Sequence, residues 1–193
     1  MNIMSIKTLV HEHFKQNLIS KHWVMHNSTI KNQEIKEALI INENLKIKKI
    51  TINELEKCAE LYLKVFSSSP WYDMWKSTVQ VQNYLRELMF NPVFEGFMVC
   101  EGDRVVAVCL GHRRSWWMGK ELFIDEFCVD NEIQGNGIGT MLINFMWEYL
   151  SQEGYERFIL LTNKDIPAQK FYLKNGFKTN DDRLSMVKKL QTH

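Results

Sequence analysis

Gln134-Gly135-Asn136-Gly137-Ile138-Gly139-Thr140 places glycine at three alternate positions, and Ile138, Met141, Leu142, Phe145, Tyr149 and Leu150 then recur at helical spacing. Glycine is a poor helix former, so this helix start is locally costly. The cost makes sense where the backbone must approach something large. The first amides of a helix lack intrahelical partners and sit at the positive end of its dipole, so together they hold an anion, typically a phosphate. An ordinary flexible loop is the bland alternative. Just upstream, Asp125 and Glu126 adjoin within residues 123–129, which read as a strand. Strand alternation sends their side chains to opposite faces, and a carboxylate facing a cleft can act as a general base. Alternation from Phe123 favours Asp125 on the cleft side; a bulge before Val129 would reverse that choice.

Two better-known phosphate loops do not fit. A dinucleotide fingerprint needs glycine where Thr140 stands and an acidic residue ending a strand about 20 residues on. A nucleoside-triphosphate loop needs Gly-Lys-Ser/Thr, which does not occur.

The flanking elements must carry this loop. Residues 45–50 alternate apolar side chains with lysine, as a half-exposed strand does. Asn53 and Glu56 have capping-box spacing, and Leu55, Cys58, Ala59, Tyr62, Leu63 and Phe66 then mark a helix ended by Ser67-Ser68-Ser69-Pro70. Val81, Tyr84, Leu85, Leu88 and Met89 mark a second, stopped at Asn91-Pro92. Residues 97–100, 104–111 and 122–129 form an antiparallel meander, turning at Gly102-Asp103 and Gly119-Lys120. Beyond the glycine loop and its helix, the apolar run Phe158-Ile159-Leu160-Leu161 predicts a strand covered on both faces. Its connection through that helix makes the pairing parallel. Asp165 can cap a last helix, with Pro167 in its first turn and Gly176 just past its end. Residues 177–178 and 184–190 complete the order as two strands.

Gln134-x-x-Gly137-x-Gly139 resembles the Gln/Arg-x-x-Gly-x-Gly/Ala signature of the GCN5-related N-acetyltransferase (GNAT) superfamily. A second motif lies far from the first. Asn163-x-x-x-x-Ala168-x-x-Phe171-Tyr172-x-x-x-Gly176-Phe177 is similar to that superfamily's second coenzyme-binding motif. The order of elements also matches, over about residues 45–190. The resemblance implies an α/β (α+β) fold with a mixed, mostly antiparallel central sheet flanked by helices. It implies acetyl-CoA as co-substrate, with the pyrophosphate held by amides of Gly135, Asn136, Gly137, Ile138, Gly139 and Thr140. The main chain at Cys128 and Val129 would pair with the pantetheine arm, and the Val129 N–H would face the thioester oxygen. Asn163 matches a position contacting that arm, Ala168 and Phe171 belong to the same motif, and Tyr172 matches the position that protonates the leaving thiolate. The superfamily often places a glutamate on the central strand, so Glu126 stands beside Asp125 as candidate base.

Trp71-Tyr72-Asp73-Met74-Trp75 follows the Ser-Pro breaker. Trp71, Tyr72 and Trp75 form either a hydrophobic plug or a wall of the acceptor pocket, since aromatic faces suit amines and cations. His112-Arg113-Arg114 with Trp116-Trp117 reads as a solvated strand end more readily than as a contact for acceptor or coenzyme. Residues 1–44 are polar and lie outside the resemblance, so they are expected to form an N-terminal extension to a domain over 45–193. Ile6, Leu9, Val10 and His13 could line one helix there and Ile35, Leu39 and Ile40 another, while His22 and His26 lack a third ligand and predict no metal site.

With 193 residues the chain is long enough for one well-buried domain. A formal net charge of +1 argues against a general nucleic-acid or membrane-surface binder. Cys58, Cys100, Cys109 and Cys128 each sit in apolar runs with no Cys-x-x-Cys pair, as reduced core residues of a cytosolic protein do. No apolar run approaches the roughly 20 residues of a membrane span, and the start lacks a signal peptide's features, so a cytoplasmic location is expected. The expected activity is acetylation of a primary amine on a small, cationic acceptor by direct transfer in a ternary complex. A protein N-terminus or lysine as acceptor, or a non-catalytic coenzyme-A-binding regulator, are the alternatives. Homodimerisation is left open.

Overall fold

The computed structural model describes residues 38–40 and 45–190. Chain contacts divide the molecule into Met1–Ala38 and Leu39–His193, and the fold described here belongs to the second unit. The helix face proposed around residues 6–13 and the His22/His26 pair lie outside the described residues. Leu39 and Ile40, expected on a helix, fall instead in a short strand, β1 (Ala38–Ile40). β-branched neighbours such as Ile40 favour that extended state.

β2 (Leu45–Lys49) leads into a single 3-10 turn, Ile52–Glu54, and then helix α1 (Leu55–Phe66). The capping box is formed by Thr51 and Glu54, not by Asn53 and Glu56. Thr51 Oγ1 accepts from the Asn53 amide at 3.3 Å, and the Thr51 amide donates to Glu54 Oε2 at 2.8 Å. The extended Thr51 leaves the strand two residues earlier than spacing alone suggests. Helix α2 (Thr78–Met89) follows, with the Ser77 hydroxyl accepting from the Gln80 amide as its N-cap.

Three long strands then form a meander: β3 (Phe94–Glu101), β4 (Arg104–Trp116) and β5 (Gly119–Val129). A 3-10 turn at Asn131–Ile133 precedes helix α3 (Ile138–Gln152), strand β6 (Tyr155–Leu160) and helix α4 (Pro167–Lys174). Strand order across the sheet is β1-β2-β3-β4-β5-β6. Pairing from β2 to β5 is antiparallel, and β6 runs parallel to β5, as the crossover through α3 requires.

Both sheet faces are covered. Cys58, Tyr62 and Val65 of α1 and Val81 and Leu85 of α2 bury Met98, Val108, Leu110 and Cys128 on one face. Leu142, Met146 and Leu150 of α3 cover Phe97, Val99, Val106, Cys109 and Leu122 on the other. Each such side chain contributes about 1.5–3 kcal/mol by leaving water, which sets the meander as a rigid platform. All four cysteines are buried and unpaired, and burial pushes the Cys58 thiol up to about 12, so none is poised as a nucleophile. Among the described residues no helix is long and apolar enough to cross a membrane.

The two final strands expected at 177–178 and 184–190 do not form. Residues 175–190 hold no helix or strand, and Leu184, Met186, Val187 and Leu190 are 86–89% exposed. A strand needs a backbone partner and a face to bury, and apolar residues alone supply neither.

Candidate active site

The glycine loop is held from both ends. Asp130, 2% exposed, caps the turn before it by accepting from the Glu132 amide at 3.1 Å, and its own amide donates to Val106 O at 2.8 Å. Lys64 Nζ lies 2.7 Å from one Asp130 oxygen, and Arg104 pairs with the other. Burial raises the carboxyl pKa, but the bonds from Lys64, the Glu132 amide and Arg104 outweigh it and hold Asp130 down at about 2. At the other end, Gln134 Nε2 donates to Val129 O at 2.9 Å and to Asn131 Oδ1 at 3.0 Å, tying the loop back onto β5.

Gly135 and Gly137 have φ of +83° and +84°, a region a Cβ disfavours, and Gly137 is the N-cap of α3. Gly139 has a different reason. A Cβ there would stand 3.0 Å from Phe171 Cζ and 3.3 Å from Val129 Cγ2, so a side chain would have to push α4 or β5 back by a few tenths of an ångström. The Met141 amide makes the helix's opening bond to Gly137 O, at 2.9 Å. The amides of Ile138, Gly139 and Thr140 are therefore the free donors of the helix start. Open space surrounds the Cβ positions of Gly135 and Gly137. Free donors, dipole and space together fit a pyrophosphate.

β5 and β6 stay paired only as far as Ile124↔Leu160, whereas β5 continues to Val129. Among the described residues, the 125–129 edge facing away from β4 has no strand beside it. An extended arm bearing amides fits such an edge as an added strand does.

The acidic pair sits where the β5 ladder slips. Leu110 faces Glu126, but Gly111 faces Ile124, so Asp125 is the extra residue of a bulge. Gly111 permits the slip, because a Cβ there would stand 2.4 Å from Phe123 O. Strict alternation predicts opposite faces for the two acids. The bulge instead brings both Asp125 and Glu126 to one cavity of about 340 Å³, lined also by Trp71, Asn163, Ala168 and Tyr172. This volume is at the low end for small-ligand sites, about 300–1,000 Å³. A larger hollow of about 450 Å³ lies beside Lys57, Lys64, Arg104 and Asp130. There Lys64 and Arg104 are both paired with Asp130, which ties that hollow to anchoring the turn.

Tyr84, from α2, donates its hydroxyl to Glu126 Oε1 at 2.5 Å. Burial raises the Glu126 pKa; hydroxyls of Tyr84 and Tyr62 oppose the rise, and Asp125 adds to it. Burial likewise raises the Tyr84 and Tyr172 phenols well above the ordinary value. Asp125 Oδ2 lies 2.7 Å from His112 Nδ1 on β4.

Of the three aromatics proposed for the acceptor, Trp71 lines the cavity. Trp75 packs against Tyr62 and Tyr84 at 5.7 and 5.5 Å, and Tyr72 is 68% exposed. Phe171 stacks on Phe127 at 5.5 Å, below Gly139. The Cys128 side chain points into the α1 layer, so only its main chain can serve the strand edge. Asp165 does not cap α4. Ile166 holds that position, and the Asp165 amide donates to Gln169 Oε1 at 2.7 Å. Tyr62 and Tyr84 escape the sequence reading as functional residues, and His112 falls in a stretch that reads first as a solvated strand end. The signal was present for the tyrosines, since a hydroxyl at a buried helix position usually has a polar partner. Among the described residues no group of three or more potential metal ligands occurs.

Residues 55–177 match the Acetyltransferase (GNAT) family, and the chain belongs to that family. An uncharacterized N-acetyltransferase of Methanocaldococcus jannaschii is 30% identical over 75% of this chain and 66% of its own length, so the chain spans just under two thirds of that relative. Two solved structures share the fold. One is an aminoglycoside acetyltransferase from an uncultured soil metagenomic sample in complex with sisomicin, 19% identical, TM-score 0.62, covering 79% of this chain and all of that one. The other is a possible acetyltransferase from Clostridium difficile 630, 17% identical, TM-score 0.66, covering 77% and all.

Proposed function

We propose that the protein transfers the acetyl group of acetyl-CoA directly to a primary amine of a small cationic acceptor. The observation that carries this reading is that the second motif lines the cavity holding the acidic pair while its Phe171 lies against Gly139 of the first. Tyr172, Asn163 and Ala168 of the second motif line the same cavity as Asp125 and Glu126, next to the open β5 edge that leads to the glycine loop.

Acetyl-CoA supplies an activated thioester. Amides from Gly135 to Thr140 would hold its pyrophosphate, helped by the α3 dipole. The main chain at Cys128 and Val129 would pair with the pantetheine arm, Asn163 would contact the same arm, and the Val129 N–H would polarise the thioester oxygen. Glu126 removes one proton from the incoming ammonium. Its burial moves its pKa toward neutral pH, where a general base works best. As the nitrogen–carbon bond forms and the carbon–sulfur bond breaks, Tyr172 gives its proton to sulfur and recovers one from the acceptor nitrogen. The proton on Glu126 then passes to water. Burial keeps the Tyr172 phenol protonated at neutral pH, ready to donate to a thiolate whose thiol has a pKa of about 8.5.

A cationic acceptor is supported by two carboxylates and an indole in one cavity. The sisomicin-bound fold neighbour is consistent with that class without assigning it. The test is release of free thiol from acetyl-CoA against aminoglycosides, polyamines and lysine peptides, for wild type and Tyr172→Phe. Turnover on a small amine, reduced by the substitution, is expected. Coenzyme binding with turnover only on peptides, or with none, would overturn the small-acceptor reading.

A further inference from the structure

The two cavity carboxylates are held by different partners. Glu126 is tied to Tyr84 within an aromatic shell in which Trp75 lies 5.5 Å from Tyr84. Asp125 is tied to His112, whose ring lies 5.3 Å from Phe123 at an interplanar angle of 32°. The Arg114 guanidinium sits 5.5 Å over that same Phe123 ring. His112 is thus fixed between a carboxylate and an aromatic face, on a strand whose ladder with β5 pairs it directly with Phe123. Its side chain is 28% exposed and that of Asp125 19%. Asp125 is among the cavity-lining residues and His112 is not, so His112 reaches the site only through Asp125.

A bulge residue has more backbone freedom than its neighbours, so a carboxylate placed there needs an external hold to keep one direction. His112 supplies it. Asp125 and Glu126 both line this one small cavity. One carboxylate is sufficient to deprotonate a single ammonium. A second, separately anchored, has a use when the acceptor brings a second positive charge.

We propose that His112 is a positioning residue which holds Asp125 as the binding site for a second ammonium group, so that the preferred acceptor carries two amines close together. Glu126 serves the amine that reacts, and Asp125 grips the one that does not. This rests on the amine-acetylation reading above.

The test compares 1,3-diaminopropane with propylamine, each with saturating acetyl-CoA, for wild type, Asp125→Asn, His112→Phe and His112→Asn. Asparagine keeps a donor near the Nδ1 position; phenylalanine keeps the ring and removes it. Wild type is expected to show a KM at least tenfold lower for the diamine. Asp125→Asn and His112→Phe should raise the diamine KM about tenfold or more relative to the propylamine KM, so that the wild-type preference for the diamine is lost. His112→Asn should restore most of the difference. Far-ultraviolet circular dichroism and a thermal melt check folding of each variant, and Asp125→Asn carries the test alone if His112→Phe does not fold. Equal wild-type KM values for the two amines, or variants that keep the wild-type ratio of the two KM values, would overturn the proposal and leave acetyl transfer standing. No turnover on any amine would overturn both.

Discussion

The Tyr84 hydroxyl donates to Glu126 Oε1 at 2.5 Å, joining helix α2 to the bulge of β5. The bond stabilises the ionised carboxylate against the burial that disfavours it. Removing it in Tyr84→Phe should raise the Glu126 pKa further. The acid limb of the kcat/KM profile should move to higher pH, with the plateau above it nearly unchanged. A profile that keeps its limb while losing height would assign Tyr84 a different part.

Glu126 also poses a conflict between stability and activity. Its folded pKa is raised, so the folded state binds this proton more tightly than the unfolded state, whose pKa is about 4.3. Its contribution to stability therefore falls as pH rises from about 4.3 through the folded value. Glu126→Gln should lose about 10²–10⁴ in kcat. At pH 7 it should nevertheless melt no lower than wild type, and its relative advantage should shrink toward pH 4. A melting temperature well below wild type at pH 7 would show that the charge is needed for folding.

In the proposed reaction Tyr172 donates a proton only as sulfur leaves. Tyr172→Phe should lower kcat about 10²-fold or more with little change in KM for acetyl-CoA. The phenyl ring preserves packing on Phe127 and Phe177, at 6.2 and 5.3 Å, so stability should be nearly unchanged. An equal kcat in the two proteins would remove the phenol from the reaction.

Asp130 anchors the turn before the glycine loop. Its folded pKa is about 2, below the ordinary carboxylate value, so the contribution is complete above about pH 4 and is lost as pH falls toward 2. The shift corresponds to about 2 kcal/mol. Asp130→Asn should destabilise by that order at pH 7, with the difference from wild type narrowing below pH 4, as urea unfolding at several pH values would report. A pH-independent difference would mean that packing, not ionisation, is responsible.

Gly137→Ala tests the loop itself. A Cβ at φ +84° costs about 1–2 kcal/mol. The loop's shift should raise KM for acetyl-CoA about tenfold, leaving the acceptor KM near wild type. Unchanged coenzyme affinity, measured by calorimetry, would dissociate the helix start from phosphate binding.

The amino-acid order by itself determined the glycine-rich helix start, the meander, the parallel crossover and the pairing of two motifs. These are local: glycine spacing, period-two and helical apolar patterns, and turn residues act within a few positions of themselves. Tertiary structure decided what depends on register. Only the partner strand shows that Gly111 lets β5 slip, and that slip turns Asp125 and Glu126 from opposite faces into one cavity. Tyr84 reaches Glu126 and His112 reaches Asp125 across long stretches of sequence, and no spacing rule encodes such meetings. The absent strands at 177–178 and 184–190 make the same point in reverse. Alternating apolar residues offer a strand, and only a neighbouring backbone can accept it.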